Sequence, residues 1–174
     1  GSIYFSYKQS LTIDFIRQYV KQGKLKEDQV GLIISSLLSA SSDIVNTVGK
    51  QFAQPMKMVD KLGNLKKLQL TRTIQNKKLC VLDRLQVAVK KFENSQKANQ
   101  KKKHEVYSQN IFNFLESYDN NIDCFYADPP YTIDHYSRFY HVLETIAKYD
   151  NPELAVMNKK GNKEVMNGLY RIDR

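Results

Sequence analysis

Two consecutive prolines, Pro129 and Pro130, end any regular element that reaches them, because each fixes φ near about −65° and neither offers an N–H. The short apolar run at 124–127 therefore reads as a strand stopping at Asp128. Upstream, the pattern predicts a short strand at 105–107, a helix over 110–118 and a turn at 119–121. Strand, helix, strand is the repeating unit of a parallel sheet, so the expected class is α/β. Downstream, Tyr136, Tyr140, Leu143 and Ala147 recur at helical spacing and predict a helix ending near Asp150, with Pro152 just beyond.

The first third of the chain has a different period. Leu11, Ile13, Phe15, Ile16, Tyr19 and Val20 gather mostly on one helical face, and Gly23 closes the pattern. A longer helix is expected from Lys26 or Glu27 to Val48, with Gly49 as its stop. Its serines (Ser35, Ser36, Ser39, Ser41, Ser42) are read as small residues that let helices approach closely. The stretch 57–70 reads as a loop around Gly63 followed by a short strand, 79–92 as a helix, and 94–103 as an exposed, lysine-rich loop. The expected organisation is a helical part over 1–57, a basic insertion over 58–104 and an α/β part over 105–174.

Charge is concentrated rather than spread. The 174-residue chain carries a net charge of +9, yet residues 57–104 hold fourteen Lys/Arg against Asp60, Asp83 and Glu93, an excess of +11, and the remainder is slightly acidic. A surface that neutralises phosphates has this distribution, and so does a solvated basic insertion. Lys66, Lys67, Arg72, Lys77, Lys78, Lys90 and Lys91 are the candidate contacts to a nucleic-acid backbone. No apolar run reaches about 18 residues, so no membrane span is expected. Cys80 and Cys124 stand singly, which argues against a zinc site or a disulfide framework and fits packing residues in a reducing cytoplasm. His135 and His141, six residues apart, fall on different helix faces, and no metal is expected.

Asp128, Pro129, Pro130 and Tyr131 make a chemically coherent set at the carboxyl end of the expected strand, where open α/β sheets bind ligands. An amine conjugated to an aromatic ring is a weak nucleophile because its lone pair is delocalised. A carboxylate at 128 can accept one amine hydrogen, and a carbonyl of the rigid proline pair can accept the other, which favours the charge that develops during attack. Tyr131 offers a flat face to a base removed from its stack, an interaction of about 1–3 kcal/mol.

The stretch Phe125-Tyr-Ala-Asp-Pro-Pro-Tyr131, continuing through Thr132 into the helix from His135 to Ile146, resembles the catalytic motif of the D12 class of adenine-specific DNA methyltransferases. A second block, Tyr4-Phe-Ser6, Ile13-Asp-Phe-Ile-Arg17 and the helix leading into Asn46-Thr47 and Gly49, looks like the segment that follows that family's cofactor loop. The resemblance implies an incomplete Rossmann-like methyltransferase sheet. It also implies S-adenosylmethionine as cofactor, double-stranded DNA as substrate and direct in-line methyl transfer to N6 of a flipped adenine. Asp128 and Pro129 would then hold the amine, Tyr131 would stack on the base, and Asp128 would border the cofactor. A cognate restriction endonuclease would be a partner. By position alone, His135 and Arg138, just past the motif, are either contacts to a phosphate or the target strand or solvated helix residues.

One departure stands beside the match. The family's F-x-G-x-G turn has no counterpart, since Gly1, Gly23, Gly31, Gly49, Gly63, Gly161 and Gly168 include no pair one residue apart. The expectation is therefore a partial enzyme, inactive alone. Still open are a non-catalytic DNA-binding or specificity module and a methyltransferase acting on cytosine N4 or RNA.

Overall fold

The computed structural model describes residues 3–50, 52, 54–99, 104–119, 121–128, 136–150, 155–159 and 162–166. Its elements are α1 (Tyr7–Lys21), α2 (Glu27–Ile44), a 3-10 turn at Val48–Lys50, α3 (Lys67–Lys78), α4 (Val81–Asn99), α5 (Ile111–Ser117), α6 (Tyr136–Lys148), β1 (Ala155–Lys159) and β2 (Asn162–Met166).

Local chemistry explains where the first helices start and stop. Ser6 caps α1 reciprocally with Gln9: the Gln9 amide donates to Ser6 Oγ (3.3 Å) and the Ser6 amide to Gln9 Oε1 (2.8 Å). Ile13, Ile16, Arg17 and Val20 then form the buried stripe at helical spacing. Tyr7, Leu11, Phe15 and Tyr19, each four residues apart, remain exposed. Helix α2 has Glu27 and Asp28 in its first turn, where the dipole favours acids, and ends at Ile44 rather than running on to Val48. The chain leaves the helix because its next polar groups pair elsewhere: the Asn46 amide donates to Tyr4 O (2.9 Å) and the Val48 amide to Gln54 O (3.0 Å). Gly49, at φ 71°, occupies the left-handed region there.

A helical core holds these elements. Phe5, Ile13, Ile16, Leu37, Ile44, Val45, Phe52, Val81 and Ile146 form one cluster drawn from α1, α2, α4, α6 and the loop at 52. Ser36 and Ser41 are fully buried, in keeping with small residues at a close helix contact. Helix α2 is the hub, packed against α4, α6 and α1. Gln9 adds a polar pin, its Nε2 donating to Asn76 O (2.8 Å) and Leu79 O (2.9 Å) and so satisfying carbonyls at the end of α3.

The expected Rossmann-like α/β sheet is not found. Among the described residues the strands are β1 and β2 alone, an antiparallel hairpin in register from Ala155 opposite Met166 to Lys159 opposite Asn162. Segments 105–107 and 124–127 are not strands, and only α5 forms between them. Parallel strands are buried on both faces and lean on neighbours for every backbone group. Here Phe125 and Tyr126 are 56% and 84% exposed, and no described strand lies alongside them. The architecture is helix on helix.

Three smaller expectations also change. The strand after Gly63 is instead α3, preceded by a single antiparallel bridge between Val59 and Leu65. The loop expected from 94 is instead the continuation of α4 to Asn99, favoured by Glu93 four residues before Lys97 and by good helix formers around it. Cys80 and Cys124 are exposed, not packed.

The turn before α3 is an acid-capped loop. Asp60 Oδ1 accepts from the amides of Leu62 (2.8 Å) and Asn64 (2.9 Å), and Oδ2 from the Asn64 side chain (3.1 Å), while Gly63 at φ 87° completes the reversal. Hydrogen bonds from Asn64 above all hold the Asp60 carboxyl below its ordinary range. A depressed folded pKa contributes order that is present above the unfolded value and is lost as pH falls through the folded one. Amide exchange at Leu62 and Asn64 is therefore expected to speed up only below about pH 4 relative to intrinsic rates, and Asp60→Asn should abolish that acid step.

Candidate active-site segment and basic surface

The segment carrying Asp128 runs from 121 to 128 without regular structure and with every residue exposed. Asp128 itself is solvent-accessible, so its carboxylate stands where a ligand amine could reach it. Pro129, Pro130, Tyr131 and His135 lie outside the described residues. The chain is next described at α6, whose Arg138 belongs to the helix backbone with its side chain outside the described set. Asp128 thus lies eight residues before a helix whose far half is seated in the core through Ile146, Val142 and Leu143.

Basic residues distribute over two helices. Lys66 is the residue before α3 and is exposed, as are Lys67, Arg72 and Lys78, while Lys77 is partly buried. On that helix Thr73 faces inward, Lys67 and Lys78 fall near one line about 120–140° away from it, and Arg72 lies about 100° from it on the other flank. On α4, Lys90 and Lys91 are exposed, with Val81 and Ala88 turned to the core. Arg84 and Lys97, not among the expected contacts, are exposed on the same helix, and a spacing count along α4 would have found them. This arrangement offers two basic helical surfaces to a polyanion.

Between α2 and α4 lies an open groove of 520 Å³, lined by residues including Asp28, Gly31, Leu32, Phe92, Gln96 and His104. It is separate in sequence from the 121–128 segment. Among the described residues no cluster of three metal-binding side chains occurs, and no helix is long and apolar enough to cross a membrane. The fit to S-adenosylmethionine is poor among these residues. The positive-φ glycines Gly23, Gly49 and Gly63 sit singly on three separate turns, and none opens a strand-to-helix turn of the kind that approaches a nucleotide-like ligand.

Residues 51–170 match the family model described as D12 class N6 adenine-specific DNA methyltransferase. The chain belongs to this family. It is 30% identical over 156 residues to the type II methyltransferase M.FokI of Planomicrobium okeanokoites, an alignment covering 87% of this chain and 20% of that protein. It is also 72% identical over 32 residues to the modification methylase LlaI of Lactococcus lactis subsp. lactis, covering 18% of this chain and 5% of that protein. The D12 chain thus spans about a fifth of M.FokI and a smaller share of LlaI. No solved structure matches it. The matched span includes Asp128, α3, α4 and α6, so the candidate carboxylate and both basic helices fall inside the D12 region.

Proposed function

We propose that the chain supplies the amine-binding carboxylate and part of the DNA-contacting surface of a methyltransferase that modifies adenine N6 in duplex DNA after base flipping. The observation that carries the reading is the exposed Asp128, at the head of the Asp-Pro-Pro-Tyr tetrapeptide and inside the D12-matched span. In this reading Asp128 accepts one hydrogen of the N6 amine, and a proline carbonyl accepts the second. Both aim the nitrogen lone pair and stabilise the positive charge that grows as the methyl group arrives. Tyr131 supports the base by stacking. S-adenosylmethionine is the methyl donor the reading implies, and none of its contacts is assigned to a described residue. His135 and Arg138 contact the target strand, segment 58–104 is the recognition part and 105–174 the catalytic part. A nuclease of matching specificity accompanies the enzyme, by analogy with relatives named as a modification methylase and a type II methyltransferase.

The test is methyl transfer by the intact enzyme to duplex DNA, followed by nucleoside mass analysis. N6-methyladenine is the expected product. N4-methylcytosine, methylated RNA, or DNA binding without any methylation would each replace this reading with another.

The basic surface makes a separate, quantitative expectation. Changing Lys67, Arg72 and Lys78 together to Gln should lower the slope of log affinity against log salt by about 0.9 for each phosphate that these side chains neutralise. Binding titrations at several salt concentrations measure it, and an unchanged slope would remove α3 from the DNA interface.

A further inference from the structure

The loop that leads into α3 presents an apolar tip from a stiff frame. Leu62 is 87% exposed, and Met58, Val59, Leu65 and Leu68 near it in sequence are exposed as well. Scattered surface leucines are ordinary, but this many large apolar side chains within one short stretch mark an interaction site. The frame below the tip is tied across its width. Val59 and Leu65 make an antiparallel bridge, the Lys66 amide donates to Met58 O (2.8 Å) and the Asp60 amide to Asn64 O (3.0 Å). Inside that frame the Asp60 carboxylate collects the amides of Leu62 and Asn64. Gly63 supplies the left-handed φ, and a Cβ there would meet no atom within 4 Å, so backbone conformation rather than crowding reserves the position for glycine.

Charge around the tip decides what it meets. Residues 57–67 hold Lys57, Lys61, Lys66 and Lys67, all exposed, against Asp60 alone, whose oxygens are turned onto the loop's own amides and Asn64. Lysine is depleted at the centres of protein–protein interfaces, where charge is desolvated. An apolar side chain among cations suits nucleic acid instead, since proteins that kink the duplex insert such a side chain between base steps while basic groups neutralise phosphates. The loop also runs directly into α3, which carries exposed Arg72 and Lys78. Resting on the reading of duplex DNA as substrate, we propose that residues 58–66 are a wedge that enters the duplex, Leu62 partly unstacking a base step and the neighbouring lysines holding adjacent phosphates. The stiff frame limits the conformational freedom lost on insertion. The wedge acts apart from the Asp128 segment: it binds and deforms DNA whether or not methyl transfer proceeds.

The test uses the intact enzyme and closed-circular plasmid relaxed by a topoisomerase, which records unwinding at any sequence. Wild-type enzyme should unwind the plasmid, and Leu62→Ala, brought to equal occupancy, should not. Leu62→Ala should also weaken duplex binding by about 10-fold, the equivalent of leaving most of a leucine side chain unburied. The slope of log affinity against log salt should stay unchanged, because an apolar contact releases no counterions. Leu62→Met should bind within about threefold of wild type and unwind the plasmid normally. Lys61→Gln combined with Lys66→Gln should give the opposite pattern, a slope lower by about 0.9 for each phosphate neutralised, with unwinding retained at equal occupancy. Because Leu62 is exposed, its variants should melt within about 2 °C of wild type. The wedge is overturned by wild-type enzyme that binds duplex DNA without unwinding it, by an alanine variant that binds and unwinds normally, or by one that changes only self-association. Wild-type enzyme that does not bind duplex DNA at all would instead strike the functional reading on which the wedge rests.

Discussion

Asp128→Ala in the intact enzyme is expected to lower the rate of adenine methylation by at least about 100- to 1,000-fold, the range seen when one preorganised polar partner of a developing charge is removed. Asp128 lies in an exposed segment and is not part of the helical core cluster. Stability should therefore move by no more than about 0.5 kcal/mol. Binding to duplex DNA should persist, because the cations proposed to neutralise phosphates lie on α3 and α4. Asp128→Asn keeps one acceptor oxygen but loses the charge, and an intermediate rate is expected. Rates from single-turnover methylation and affinities from titration separate the two effects. Undiminished methylation by the alanine variant would dismiss the carboxylate from the chemistry. Parallel loss of binding and methylation would make it a DNA contact instead.

Leu37→Ala is the substitution expected to harm the fold most. Leu37 is fully buried on α2, the helix that α1, α4 and α6 all touch, so its removal opens a cavity that no single neighbour can close. Losses for such truncations run at about 2–5 kcal/mol. In a domain of this size that corresponds to roughly 4–20 °C in melting temperature, at about 2–4 °C per kcal/mol. Leu11→Ala is the control, since Leu11 is 51% exposed on the outer side of α1 and should cost about 0.5 kcal/mol or less. Equal destabilisation by the two would mean that α2 is not the centre of the core.

What could be read from residues alone followed the strength of local periodicity. Helices α1, α2 and α6 were legible because their apolar residues repeat every three or four positions, and Gly23 and Pro152 punctuate the ends of α1 and α6; the Ser6 cap was not read. Helix α3 was missed because Leu68 and Ile74 are exposed, and its only buried residue is the polar Thr73, so no apolar stripe announces it. The sheet was expected from Cys124–Ala127, where four apolar residues before two prolines satisfy the pattern of a buried strand. A strand, however, exists only by pairing, and nothing within four residues reports whether a partner is present. The candidate carboxylate was legible because its chemistry resides in adjacent residues. The hydrogen bond of the Tyr149 hydroxyl to Asp14 and the seat of Arg17 over the Tyr149 ring were not, because they join positions 14, 17 and 149, and that proximity is created by tertiary packing alone.

The strap at residues 4 and 5 carries a practical consequence. Tyr4 Oη donates to Phe52 O (2.8 Å), Tyr4 O receives the Asn46 amide, and Phe5 is buried against Phe52 at a ring separation of 6.0 Å. A peptide bond held this way cannot enter a protease cleft without first unfolding its surroundings. Limited digestion should therefore spare this stretch while cutting within 121–128, and deleting the strap should turn a resistant body into one that is nicked throughout.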